Sequence, residues 1–141
     1  MIDDPKHGWT DRARRAINSA KSGGSEHLLR ALVQERGLAA AALELCGIDI
    51  TALIAAIDQS IGNPAGSGIE SAEDPSIIDD IKRGAADDAR ALNHNYKGTE
   101  HLLLSILNFD ASHANRLLSK FNVEYAGARE HICEVLYGTQ K

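Results

Sequence analysis

A hydroxyl, a carboxylate and an imidazole stand side by side twice in this chain: Gly24-Ser25-Glu26-His27-Leu28-Leu29 returns as Gly98-Thr99-Glu100-His101-Leu102-Leu103. These are the side chains of hydrolytic catalysis. Residues two apart on a helix point to different faces, however, so Ser25 with His27, or Thr99 with His101, cannot act as a local nucleophile and base. The imidazoles suit packing, with one ring nitrogen satisfied by backbone. Each acid falls in the first turn after a Ser or Thr read as the helix cap. A carboxylate there is stabilised by the helix macrodipole by up to about 1 kcal/mol without any ligand. His7, His94, His113 and His131 show no ligand spacing, so no metal and no cofactor is expected. Cys46 and Cys133 are scattered and do not occupy equivalent positions in the two repeats, which predicts buried thiols and no disulfide framework.

Positioning two such motifs calls for a duplicated helical scaffold. Each copy is followed by an aliphatic stretch, a Gly or Asn break and a second apolar stretch, so the repetition covers nearly the whole chain. At 141 residues the chain suits one fused core, because two independent domains of about 70 residues each would be marginal. Hydrophobic residues make up 43% and aromatics only 4%, a balance that favours helices packed by Ala and Leu. With 15 Lys and Arg against 20 Asp and Glu the formal charge is -5, which argues against a general binder of nucleic acid. The acidic start, Met1-Ile2-Asp3-Asp4, does not resemble a signal peptide, and no run approaches the roughly 20 apolar residues of a membrane span. A cytoplasmic protein without membrane contact is expected.

The elements follow from periodicity and punctuation. Thr10 caps a first helix running to Ser19; Ser25 caps a second ending near Arg36-Gly37; Ala39 to Leu45 is a third, broken at Gly47. Ile50, Leu53, Ile54, Ile57 and Ile61 give a fourth its apolar stripe. Asn63-Pro64-Ala65-Gly66-Ser67-Gly68 marks the linker. Pro75 and Ser76 then open a long helix to Ala91, Thr99 caps the next, Ala114 to Phe121 breaks at Asn122, and Ala128, Ile132, Val135 and Leu136 carry the last stripe. The expectation is an all-α domain of two pseudo-symmetric four-helix units: repeat 1 over about 9–62, a linker over 63–74 and repeat 2 over about 75–138.

The stretch Asp87-Asp88-Ala89-Arg90-Ala91-Leu92-Asn93-His94-Asn95-Tyr96-Lys97-Gly98-Thr99-Glu100-His101-Leu102-Leu103-Leu104 closely resembles the Clp repeat, found twice in the N-terminal domain of ClpC-type Clp/Hsp100 unfoldases. Trp9-Thr10-Asp11-Arg12-Ala13-Arg14-Arg15 is similar to the family's opening stretch, which extends the resemblance over about residues 9 to 138. It implies a non-enzymatic module that binds substrate proteins, degrons or Clp adaptors and presents them to an unfolding motor, with a Clp ATPase or protease as a further partner. It also implies sites for phosphoarginine, with Glu26 and Glu100 on the guanidinium and Thr10 on the phosphate. A carboxylate suits a planar guanidinium fork, and helix N–H groups suit phosphate.

Two departures bear on those sites. The first helix and its following loop are shorter than the family's by roughly nine residues, about two and a half helical turns. In repeat 2, Pro75 and Ser76 stand where the family has Thr-Pro, and Ile77, Ile78, Asp79 and Asp80 replace a basic run. No Gly-x-x-x-x-Gly-Lys-Ser/Thr motif occurs, so the chain reads as the binding module without its engine: a free-standing Clp-N protein, a piece acting beside a separate ATPase, or a decoy that sequesters adaptors or small ligands. Arg12, Arg14 and Arg15 form a basic cluster, read as a solvated helix face or as a docking patch for an acidic partner. Trp9 either plugs the repeat interface or anchors a peptide, with core packing preferred.

Overall fold

The computed structural model describes residues 9–20, 24–35, 37–62, 76–91, 97–109 and 112–137. The linker read over 63–74, Pro75, Arg36, His7 and the loop Asn93 to Tyr96 lie outside the described residues. Within them the chain forms eight helices: α1 (Asp11–Ser19), α2 (Ser25–Gln34), α3 (Leu38–Leu45), α4 (Ile50–Gly62), α5 (Ile77–Ala91), α6 (Thr99–Asn108), α7 (His113–Lys120) and α8 (Tyr125–Tyr137). The all-α architecture read from the sequence is the one observed.

The third helices of the two halves end alike. Gly47 and Asn122 adopt positive φ, 92° and 64°, the left-handed conformation that glycine and asparagine tolerate best. In each, the next residue reaches back: Ile48 N donates to Leu43 O at 3.2 Å and Val123 N to Leu118 O at 3.1 Å. The carbonyls at the end of α3 and α7 are thereby satisfied, and both reaching residues are buried.

One hydrophobic cluster runs through both halves, from Leu28, Leu29, Leu32, Leu43, Leu53 and Ile57 to Ile81, Leu102, Leu103, Leu104, Ile106 and Leu118. Packing crosses between the halves, with α3 against both α6 and α8 and α2 against α7. At the centre, every residue of α6 from Thr99 to Leu107 is buried, as expected of a helix surrounded on all faces. Gly84 lets α5 approach Ser105 of α6 so closely that a Cβ would collide with that side chain.

The start of the motif differs from the sequence reading. Gly24 and Gly98 hold the N-cap positions, and Ser25 and Thr99 are the first residues inside their helices. Their hydroxyls serve the opposite half: Ser25 Oγ accepts from Ala114 N of α7 at 2.9 Å, and Thr99 Oγ1 accepts from Ala39 N of α3 at 3.3 Å. Each half thus satisfies a first-turn donor of the other half's third helix, one of the groups a helix cannot bond internally. The local N–H of each N-cap glycine goes to the histidine instead: Gly24 N to His27 Nδ1 at 3.3 Å and Gly98 N to His101 Nδ1 at 2.9 Å. An accepting Nδ1 leaves Nε2 as the protonated nitrogen.

Candidate functional site

The cross-repeat packing brings two of the sequence-selected residues to one place. A cavity of about 550 Å³ is lined by Thr10, Asp11 and Arg12 at the start of α1, Gly37, Leu38 and Ala41 at the start of α3, and Thr99 and Glu100 at the start of α6. A short tie holds α1 there: Trp9 and Lys97 form an isolated parallel bridge, and Thr10 N donates to Lys97 O at 2.8 Å. The Lys97 ammonium lies 4.9 Å from the centre of the Trp9 ring, which is itself half-buried against the core. Trp9 therefore packs at the join between the halves.

Thr10 occupies the N-cap of α1, its Oγ1 accepting from Ala13 N at 3.1 Å. The N–H groups of Asp11 and Arg12, in the first turn of α1, have no acceptor within the helix, and the positive end of the helix dipole lies there beside the Asp11 carboxylate. Across the cavity, Glu100 is only 2% exposed, and its Oε2 lies 3.9 Å from His101 Nδ1. The carboxylate folds back over Gly98, where a Cβ would fall 2.5 Å from Oε1. Gly37 has a similar duty: a Cβ there would meet Thr99 Oγ1 at 2.9 Å and the Arg12 Cδ at 3.1 Å. Gly37, Leu38 and Ala41 line the cavity and are not singled out by sequence reasoning. Gly37 reads in the sequence as the end of the second helix, whereas it is the N-cap of α3.

The other sequence-selected residues lie elsewhere. Glu26 is not part of this cavity; its Oε1 lies 3.9 Å from His113 Nδ1, with the two side chains 12% and 16% exposed. The arginines read as a basic cluster are engaged within the molecule. Arg14 pairs with Asp11, Arg15 pairs with Glu35 at 3.0 Å, and Arg12 NH1 donates to Glu35 O at 2.8 Å across the end of α2. Contact with the Glu35 carboxylate raises the Arg15 pKa further. Cys46 and Cys133 are half-buried rather than buried, and neither is in a disulfide. Burial pushes the Cys46 thiol up. His27 is exposed, whereas His101 is fully buried. Among the described residues no group of three His, Cys, Asp or Glu could hold a metal ion, and no single helix is long and apolar enough to cross a membrane.

A second polar feature lies away from the cavity. Asp88 of α5 is buried, and its Oδ1 accepts from the Tyr125 hydroxyl of α8 at 2.7 Å, while Oδ2 is buried with no hydrogen-bond partner. Burial pushes the Asp88 carboxyl above the ordinary carboxylate value, against the lowering influence of Tyr125. The Tyr125 hydroxyl is raised as well, by burial and by Asp88.

Comparison with known proteins places this geometry. The family model of the Clp repeat (R) N-terminal domain matches residues 9–83 and again residues 78–141. The chain belongs to the Clp repeat N-terminal domain family. It is similar to a probable ATP-dependent Clp protease ATP-binding subunit of Chlamydia pneumoniae, 32% identical over 141 residues, covering 91% of this chain and 16% of that protein. It is also similar to the chaperone protein ClpB of Oceanobacillus iheyensis, 31% identical over 117 residues, covering 80% of this chain and 14% of that one. The ClpC/MecB negative regulator of genetic competence of Bacillus subtilis is 29% identical over 141 residues, covering 91% and 17%. The chain thus spans 14% to 17% of the length of these relatives. As a Clp N-domain it is a module of the substrate- and adaptor-binding kind.

Proposed function

We propose that the chain recognises phosphorylated arginine on proteins destined for a Clp ATPase, working in the cytoplasm beside that motor. The observation that carries this reading is the convergence of Thr10, from the first repeat, and Glu100, from the second, on one cavity. A phosphoarginine side chain has a dianionic end and a cationic, planar middle. Thr10 and the first N–H groups of α1 take the phosphate oxygens, and Glu100 accepts from the guanidinium N–H groups in charge-assisted hydrogen bonds. Leu38 and Ala41 supply an apolar wall for the aliphatic stem. With Glu100 almost wholly withdrawn from water, its attraction for a guanidinium is screened less than at an open surface.

Calorimetric titration with free phosphoarginine tests the reading, with arginine and inorganic phosphate as controls. Heat from phosphoarginine well beyond that of either half of the molecule supports it, because both ends of the cavity must then be engaged. No heat at millimolar phosphoarginine from a folded sample overturns it.

A further inference from the structure

A phosphoarginine carried by a protein brings its neighbours in that chain to the rim of the cavity. Helices α1 and α3 offer them different surfaces there. On α1 the charged rim is engaged within the molecule, Asp11 pairing with Arg14 and Arg12 donating to the carbonyl of Glu35. On α3 the rim is apolar. Leu38 and Ala41 line the cavity, and Leu45 follows them at the i, i+3, i+7 spacing that keeps all three on one face of the helix. Ala39, Ala42 and Leu43, on the rest of the helix surface, are buried in the core. Leu45 is 50% exposed, one of two large hydrophobic side chains left so open among the described residues. The stripe thus begins in the cavity wall and ends outside it.

The spacing sets which neighbour of a phosphoarginine reaches Leu45. Leu45 lies one helical turn beyond Ala41, about 6 Å along the axis. An extended chain covers about 6.6 Å in two residues and points the side chains of residues i and i+2 the same way. In a chain leaving the cavity along α3, the residue two positions from the phosphoarginine therefore turns its side chain onto Leu45, and the residue between them points away.

We infer that the site reads a second residue of its ligand: a polypeptide with an apolar side chain two positions from the phosphoarginine, seated on Leu45. This rests on the reading of the cavity as a phosphoarginine site and adds the class of flanking sequence that it selects. Two end-capped pentapeptides test it, Leu-Gly-phosphoarginine-Gly-Leu and Ser-Gly-phosphoarginine-Gly-Ser, whose symmetry covers either direction of the bound chain. Each is titrated into the full chain and into Leu45→Ser, with free phosphoarginine alongside and circular dichroism confirming the fold. Wild type is expected to bind the leucine peptide at least about threefold more tightly than the serine peptide, the effect of covering roughly half a leucine side chain. Leu45→Ser is expected to lose that preference and to bind free phosphoarginine within about twofold of wild type. If Leu45→Ser does not fold, Leu45→Ala replaces it with the same expectations. Equal affinities of wild type for the two peptides, or a preference that survives in Leu45→Ser, overturns the flanking-residue inference while leaving the phosphoarginine reading intact. Absence of free phosphoarginine binding by folded wild type removes both.

Discussion

Helices α2 and α6 open with the same motif and finish in different surroundings. α6 is buried from Thr99 to Leu107. α2 leaves His27 and Gln34 exposed, and its half-buried Arg30 reaches out to Asp58. The partner helix explains the difference. α5 runs 15 residues, whereas α1 runs 9 and stops at Ser19. Asp88, in the last turns of α5, corresponds to a register position beyond the end of α1. The trimmed first repeat therefore uncovers the start of α2, and the copied His-Gly contact sits in solvent on one side and in the core on the other. Duplication of a motif fixes its backbone hydrogen bonds; the length of the neighbouring helix fixes what they are worth.

The largest expected effect separates the two histidines. His101→Ala removes a fully buried ring and the acceptor for Gly98 N, at a cost of about 3 kcal/mol. His27→Ala removes an exposed acceptor at 3.3 Å and costs under about 1 kcal/mol. Urea denaturation of both variants measures the gap. Equal losses would break the comparison, because burial would then have no bearing on the motif's contribution.

Next come the exchanged hydroxyls. Ser25→Ala and Thr99→Val each leave a helix donor in the opposite half without its acceptor, which costs about 1–3 kcal/mol. The Ser25 bond is the shorter, 2.9 Å against 3.3 Å, so Ser25→Ala is expected to cost more. Reversal of that order in denaturant titrations would show that the two halves lean on each other in the opposite sense.

These hydroxyls also mark the limit of what the sequence reveals. The eight helices follow from periodicity, and Gly47 and Asn122 were legible as breaks because only a few residues accept positive φ readily. Ser25 and Thr99 look like caps because the local code for a cap is a small hydroxyl before an apolar run. The same hydroxyl bonds equally well to a donor on another helix, and only tertiary packing decides between them. Resemblance assigns Thr10 and Glu100 to phosphoarginine sites without placing them face to face. That they share a cavity depends on the Trp9–Lys97 tie, which no local pattern encodes.

A smaller effect tests the cavity against its counterpart. Gly37→Ala presses a Cβ toward Thr99 Oγ1 and Arg12 and is expected to cost about 1 kcal/mol while weakening phosphoarginine binding. The corresponding residue, Ser112, caps α7 through its Oγ, which accepts from Asn115 N at 3.0 Å. Ser112→Ala should also cost about 1 kcal/mol and leave binding unchanged. Matched stabilities with opposite binding outcomes would place the ligand at the start of α3 and not at the start of α7.

The last effect is seen only as a change with pH and belongs to the segment that only the second repeat possesses. Asp88 pairs with Tyr125, and the residue matching Tyr125 in the first repeat is Ile50, so hydroxyl and carboxylate are absent there together. Asp88 has its carboxyl raised by burial, with Asp87 adding in the same direction and Tyr125 and Arg129 opposing. A raised folded-state value means that the native protein holds this proton more tightly than the unfolded chain does. Its contribution to stability is therefore full below the ordinary carboxylate value and is lost as pH rises through the raised one. Asp88→Asn keeps an acceptor for Tyr125 and does not titrate. Between about pH 4 and pH 7, the stability of wild type minus that of Asp88→Asn should fall, by no more than about 1.4 kcal/mol per pH unit. Urea denaturation at several pH values measures this difference. A difference that rises instead would mean that Arg129 outweighs burial and holds the carboxylate ionised, making the α5–α8 contact an ion pair in place of a desolvated acid bonded to a tyrosine.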